Sequence, residues 1–327
     1  MWPDTRLLDL LGIEVPLIQA PMAGAVSSEM VIQVCEAGGL GSLPCAMLTP
    51  EQARKELGVI RQRTSRPINV NFFCHAPPRA EASREAAWKE RLKPYYSELG
   101  VDPGAPNPAV VRNPFDDSFC GVVVEFAPEV VSFYFGLPEP DLLDRVRATG
   151  AKVLSSANSV AEARWLEDRG CDAIIAQGFE AGGHQAMFLG SDISTQVGTM
   201  ALVPQIVDAL KVPVIAVGGI ADARGIVAAF ALGASGVQIG TAYLFCPEAT
   251  IRPVHREALK RAKENETALT NVFTGRPARG IMNRVMREAG PISEVAPPQR
   301  RLRAQGTLHR CGQARVFQWA GKCRLES

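Results

Sequence analysis

The residues with the most chemistry to offer lie in one short loop. Gln177-Gly178-Phe179-Glu180-Ala181-Gly182-Gly183-His184 sets three glycines beside a single histidine, directly after an apolar run at 173–177. Such a loop either approaches a ligand closely or flexes, and it projects an imidazole. An imidazole titrates near neutral pH, so it can take a proton from a carbon acid without an extreme shift. A loop histidine bonded only to backbone is the plainer alternative. Of the other histidines, His75 follows the apolar run 68–73 and can line the same mouth. His255 falls in a helical pattern and His309 in a basic tail, where capping or solvated roles fit better.

Two further clusters share the character of a ligand pocket. Val217-Gly218-Gly219-Ile220-Ala221-Asp222 is followed one apolar run later by Gln238-Ile239-Gly240-Thr241. Glycines there let backbone amides approach a phosphate, although glycines also serve simply to make tight turns. In Asn69-Val70-Asn71, strand alternation puts both asparagines on one face, with Asn71 nearer the ligand-binding end. A buried asparagine needs a partner, which a cofactor or an internal network supplies equally well. No HExxH, Walker loop, GxSxG elbow or cluster of metal-ligating side chains occurs, so no metal is expected. A phosphate pocket without a metal points to a phosphorylated organic cofactor: FMN, PLP or a sugar phosphate. PLP needs a lysine at a strand end, and the only strand lysine, Lys152, sits at the opposite end, which favours FMN.

Something must bring these positions together. Short apolar runs at 16–19, 41–44, 68–73, 130–135, 152–155, 173–177, 214–217 and 236–239 read as strands. Helical patterns at 28–37, 50–62, 140–149, 160–169, 200–210 and 223–232 separate most of them. Doubly buried strands alternating with helices make a parallel sheet, and eight of them predict an α/β fold closed as a (β/α)8 TIM barrel. An open doubly wound sheet is the rival, but GxGxxG after the first strand is missing. In a barrel the site lies at the C-terminal strand ends, which selects Met22, Asn71, Tyr134, Ser155, Gln177 to His184, Gly218, Gly219, Gly240 and Thr241.

The alternation breaks twice. An insertion rich in Pro, Arg and Glu, about 76–119 with a helical centre at 80–92, follows the third strand. After Arg252 the strand pattern stops, residues 253–267 read as helix, and the remainder is strongly basic. The expected organisation is therefore a barrel over 1–250 and a helical extension with a basic tail over 251–327 packing on it. A net charge of +1 argues against a nucleic-acid partner. The first eleven residues carry Asp4, Arg6 and Asp9 and lack an export signal, and no 18-residue apolar window suggests a membrane span. Eight scattered cysteines without a CxxC pair read as reduced thiols, so a cytoplasmic protein is expected, with a small-molecule substrate as partner and monomer or homodimer both left open.

The segments Pro16-Leu17-Ile18-Gln19-Ala20-Pro21-Met22-Ala23-Gly24, Asn69-Val70-Asn71-Phe72-Phe73-Cys74-His75, the Gly178–His184 loop, Val217 to Ala221 and Gln238 to Thr241 together resemble the nitronate monooxygenases of bacterial class I, formerly 2-nitropropane dioxygenases. Thr270-Asn271-Val272-Phe273-Thr274-Gly275-Arg276-Pro277-Ala278-Arg279-Gly280 adds to the likeness, which spans about residues 5 to 295. The resemblance implies an FMN enzyme that oxidises alkyl nitronates, such as propionate 3-nitronate, with O2 to a carbonyl compound and nitrite. It implies His184 as catalytic base. FMN would be held by Asn71, Gln177, Gly182, Gly219 and Gln238, Ile239, Gly240, Thr241, joined by Met22, Gly183 and Gly218 at the same strand ends. His75 and Tyr134 would meet the substrate. The sequence departs from the class where Ser132-Phe133-Tyr134-Phe135-Gly136 carries tyrosine at a position that commonly holds histidine, so substrate preference is expected to differ. The tail at 299–318, with five arginines and no acid, matches poorly. The late-barrel pattern also resembles the FMN-dependent enoyl-acyl-carrier-protein reductases and NAD(P)H:quinone reductases; Asn71-Phe72-Phe73-Cys74-His75 and the Thr274 to Gly280 segment favour the monooxygenases.

Overall fold

A computed structural model describes residues 2–76, 81–100, 102 and 114–296. Eight parallel strands form the barrel: β1 (Leu17–Gln19), β2 (Gly41–Pro44), β3 (Ile68–Phe73), β4 (Val130–Tyr134), β5 (Lys152–Ala157), β6 (Ala173–Gln177), β8 (Val214–Val217) and β9 (Gly236–Ile239). A two-residue strand, β7 (Gly183–His184), lies between β6 and β8 in the chain and belongs to another sheet. The barrel order is β1-β9-β8-β6-β5-β4-β3-β2, and an Ile18–Leu40 bridge joins its two ends. Hydrogen bonds Gln19 N to Leu40 O and Leu40 N to Leu17 O, both 3.0 Å, complete that closure.

Helices α2 (Ser28–Glu36), α3 (Pro50–Arg63), α5 (Asp117–Phe126), α6 (Pro140–Ala148), α7 (Val160–Asp168), α8 (Thr199–Ala209) and α9 (Ala223–Ala231) follow successive strands around the wall, with α1 (Arg6–Leu11) preceding them all. Local signals set their starts. Ser27, Asp116, Ser159 and Asp222 each accept a bond from the first turn, and Thr49 with Gln52 makes a reciprocal capping box ahead of Pro50.

Alternation along the strands separates two packing layers. Val70, Val131, Val153, Ile174, Ala216 and Val237 face outward and pack under the helices. Ile18, Val130, Leu154, Ala173, Ile175 and Ile215 face inward and fill the lower barrel, where Leu7 and Leu11 of α1 and then Ile13 stopper the N-terminal mouth. Apolar side chains therefore close one end, and the polar inward residues of the same strands collect at the other.

The expected barrel strands match within two residues at each end. Three differences concern the surrounding pieces. The crossover α5 was not anticipated; its sequence, DSFCGVVVEF, looks like a continuation of the irregular insertion. The insertion helix α4 (Ala82–Glu98) continues past Pro94, because Tyr95 and Tyr96 bury against the C-terminal extension and outweigh the proline. The reading of 253–267 as helix needs correction. Helix α10 (Pro253–Arg261) ends early, and β10 (Thr267–Thr270) pairs antiparallel with β11 (Ala278–Ile281) ahead of α11 (Arg284–Glu288). Four-residue strands with no apolar alternation leave little trace in a sequence.

Insertion and extension, distant in the chain, share one core. Trp88, Leu92, Tyr95 and Tyr96 of α4 pack with Val272, Phe273, Val285, Met286 and Ala289. Tyr95 Oη donates to Glu288 Oε2 at 2.6 Å, and Arg284 bridges to Glu98 at 2.7 Å. The described cysteines are free thiols, and no described helix is long and apolar enough to cross a membrane. The basic tail from 297 onward, and insertion residues 77–80, 101 and 103–113, lie outside the described residues.

The α1 stopper carries a stability prediction. Leu7 is fully buried among the lower barrel side chains. Leu7→Ala should lower unfolding free energy by about 2–5 kcal/mol, read as a lower urea midpoint at unchanged m-value.

Candidate active site

The C-terminal ends of the strands carry an inward polar layer above the apolar plug. Asn69 Nδ2 donates to Ser42 Oγ at 3.0 Å, and Asn71 Nδ2 donates to Ser132 Oγ at 2.9 Å and to its carbonyl at 3.2 Å. Both asparagines therefore belong to an internal network. Two buried acceptors have no hydrogen-bond partner among the described residues: Gln238 Oε1 near the end of β9, and Asn69 Oδ1 lower in the barrel, in register with Val130. Leaving such an atom unsatisfied costs about 1–3 kcal/mol, so a donor from a bound molecule has a use there.

The two late turns adjoin. Register pairs Val217 with Gln238, which sets Gly218-Gly219 beside Gly240-Thr241. Gly218 has φ of +120° and Gly219 of +70°, backbone that favours glycine. Beneath them, Thr199 Oγ1 lies 3.0 Å from Gly218 O and 2.8 Å from Glu180 Oε2, and Thr199 N donates to the same carboxylate oxygen. Gly240 precedes a 3-10 turn over Thr241–Phe245. Ile239 points outward into the helix-facing core and offers the pocket only backbone; Met22 is fully buried beside Ala20, Ala25 and Leu244 just past β1.

His184 sits where barrel and extension meet. Its strand β7 pairs antiparallel with β11, in register His184 to Ala278 and Gly183 to Arg279, and Gln185 N donates to Pro277 O at 2.9 Å. Gly183 enters that strand with φ of +76°, and Gly182 lies between it and buried Ala181. From the barrel side, Tyr134 Oη lies 2.6 Å from His184 O, and Gln177 Nε2 donates to the same carbonyl at 3.0 Å. Gln177 Oε1 accepts from Ala186 N at 2.8 Å, so this side chain is directed at the loop. Arg279 adds another tie, donating to Phe179 O and Thr267 Oγ1 across the same joint.

The imidazole itself meets Thr274, with Nε2 2.9 Å from Oγ1. The Thr274 hydroxyl proton points to Arg276 O at 3.2 Å. With the hydroxyl donating there, its oxygen is free to accept from Nε2–H, the tautomer in which Nδ1 is the basic nitrogen. Phe135, held at φ of +69°, is the aromatic hub. It stands edge-on to His184 and to His75, each 6.1 Å away, and the Arg276 guanidinium lies 4.4 Å from its ring centre.

The structure thus brings His184, Tyr134, Gln177 and His75 together around one mouth, with Asn71, Gln238 and the glycine turns on the inner barrel wall. Sequence reasoning did not single out Thr274, Phe135 or Arg276. Thr274 and Arg276 lie in a segment noted only for its family likeness, and Phe135 is adjacent to a noted residue. No group of three or more possible metal ligands occurs among the described residues.

Close packing of the loop against α8 yields a test. A Cβ on Gly178 would stand 2.0 Å from Thr199 Oγ1 and 2.5 Å from that residue's backbone, whereas Gly190 has nothing within 4 Å. Gly178→Ala should destabilise the protein by at least about 1–3 kcal/mol, and Gly190→Ala by under about 0.5 kcal/mol, in paired urea titrations.

The chain matches the family described as nitronate monooxygenase over residues 4–315. It is 42% identical over 289 residues to a nitronate monooxygenase of Pseudomonas aeruginosa, covering 87% of this chain and 81% of that one. Its fold resembles the crystal structure of a nitroalkane oxidase from Streptomyces ansochromogenes, with a TM-score of 0.86 and 34% identity over 97% of this chain and 91% of that one. A FabK structure from Thermotoga maritima resembles it less, with a TM-score of 0.67 and 32% identity over 86% and 76% of the two chains. The chain is an oxidoreductase and belongs to the nitronate monooxygenase family.

Proposed function

We propose that this protein binds FMN in the barrel mouth and oxidises alkyl nitronates with O2, giving a carbonyl compound and nitrite. The observation that carries the reading is the imidazole of His184 held at the barrel mouth, with the glycine turns and the unsatisfied acceptor Gln238 Oε1 at neighbouring strand ends. The residues present fit FMN. Gln238 Oε1 is a buried acceptor in need of a donor, and the Gly218-Gly219 and Gly240-Thr241 turns suit a phosphate. On this reading Asn71, Gln177, Gly182, Gly183 and the backbone of Ile239 would complete the wall, with Met22 packed behind it.

When bound, FMN supplies the redox centre between substrate carbon and dioxygen. The protein's own part is position and field. With its proton on Nε2, His184 presents Nδ1 as the base for the α-proton of a neutral nitroalkane. Protonated, it helps hold an anionic nitronate instead. Arg276, stacked on Phe135, adds a cation on the same side, and His75 borders the mouth.

The test is to purify the protein, record its visible spectrum, and follow oxygen uptake with propionate 3-nitronate, with and without NADH. A flavin spectrum with nitronate-dependent uptake indifferent to NADH supports the proposal. Bleaching by NADH or NADPH with no nitronate response moves the assignment to a reductase, and a colourless protein that FMN cannot reconstitute removes the cofactor.

His184→Asn should keep its flavin absorbance and lose about 100-fold or more in kcat on a neutral nitroalkane. Turnover equal to the parent protein takes His184 out of the mechanism.

A further inference from the structure

The hydroxyl of Tyr134 is placed for a different task from meeting substrate. It lies 2.6 Å from the main-chain carbonyl of His184 and 2.9 Å from Gln177 Oε1. Gln177 Oε1 already accepts from Ala186 N, which fixes the orientation of that amide. Its Nε2 is the second donor to His184 O. The phenol's single proton therefore goes to the nearer acceptor, the His184 carbonyl. That carbonyl receives two side-chain donors from the ends of β4 and β6, while β11 holds the adjoining backbone from the other side. The phenol ring packs against Phe135 at 4.8 Å and Phe73 at 5.7 Å between centroids, so it cannot swing away cheaply. Burial pushes its pKa above the usual phenol value, so it stays a donor throughout the working range.

We propose that Tyr134 is a positioning residue: its hydroxyl, bonded to the His184 carbonyl, aims the imidazole at the substrate carbon. The inference rests on the reading of His184 as the base. A carbonyl held by one donor instead of two lets the loop shift, and displacing a base by about 1 Å costs on the order of 100-fold in rate.

Tyr134→Phe keeps the ring packing and removes only the bond. In the flavin-loaded full chain, two substrates separate the roles: a neutral nitroalkane, which needs the base, and its pre-formed nitronate, which does not. The expected result is a kcat on the nitroalkane down about 10- to 100-fold at nearly unchanged KM, with nitronate turnover within about threefold of the parent. A raised KM for nitronate with the nitroalkane kcat unchanged would instead make Tyr134 a substrate ligand and overturn the proposal. Equal losses on both substrates, or no loss on either, also overturn it.

Histidine-selective NMR gives a readout independent of turnover. Tyr134→Phe should shift or broaden the His184 imidazole signals and leave those of His255, buried in α10, unchanged. Unaltered His184 signals overturn the proposal. If the parent protein turns over neither substrate, the nitronate reading fails while the NMR result still decides the placement of His184.

Discussion

Everything in the mouth of this barrel depends on a two-residue strand pairing. Gly183 and His184 are too few to hold a conformation by themselves, and the hydrogen bonds of β7 to β11 fix them from outside. Sequence separation between the partners is about ninety residues, so the loop's shape rests on contact with the extension. The extension in turn is held by α4, through Trp88, Tyr95 and Tyr96 against Val272, Phe273 and Met286. Insertion and extension thus form one support whose product is the placement of a single imidazole.

The barrel contributes the other half of the hold. Gln177 and Tyr134 reach the loop's backbone from two strand ends, and Asn158 Nδ2 at the end of β5 donates to Gln177 O at 2.9 Å. Farther along, the buried carboxylate of Glu162 accepts from Asn158 N, Phe188 N and Leu189 N, tying the loop's exit to the start of α7. Charge-assisted bonds to backbone of this kind are stronger than neutral ones and have little geometric slack. At the loop's entry, Glu180 grips the first turn of α8 through Thr199. A glycine-rich loop that reads as flexible in isolation is therefore fastened at its entry, middle and exit.

The barrel was legible in the sequence because its strands are buried on both faces and bounded by helix caps, so each leaves a compact apolar run. Strands β2, β3, β6, β8 and β9 match the expected bounds at both ends for that reason. The positions at their C-terminal ends were legible too, because barrel topology alone says where a site must lie. What could not be read was contact across long separations. Thr267-Ala268-Leu269-Thr270 has no period to betray a strand, and nothing local to Thr274 indicates that its hydroxyl meets His184. Tyr134 was visible as a residue at the mouth, but its bond to a carbonyl fifty residues away belongs to tertiary structure.

Amide hydrogen exchange over the loop tests most directly whether the imidazole is held as described. Gln185 N is bonded to Pro277 O and Ala186 N to Gln177 Oε1. The structure predicts that both amides exchange far more slowly than an unstructured chain, with protection comparable to the barrel strands. Exchange at the rate of a solvated loop would contradict it, because His184 would then have no fixed place from which to act.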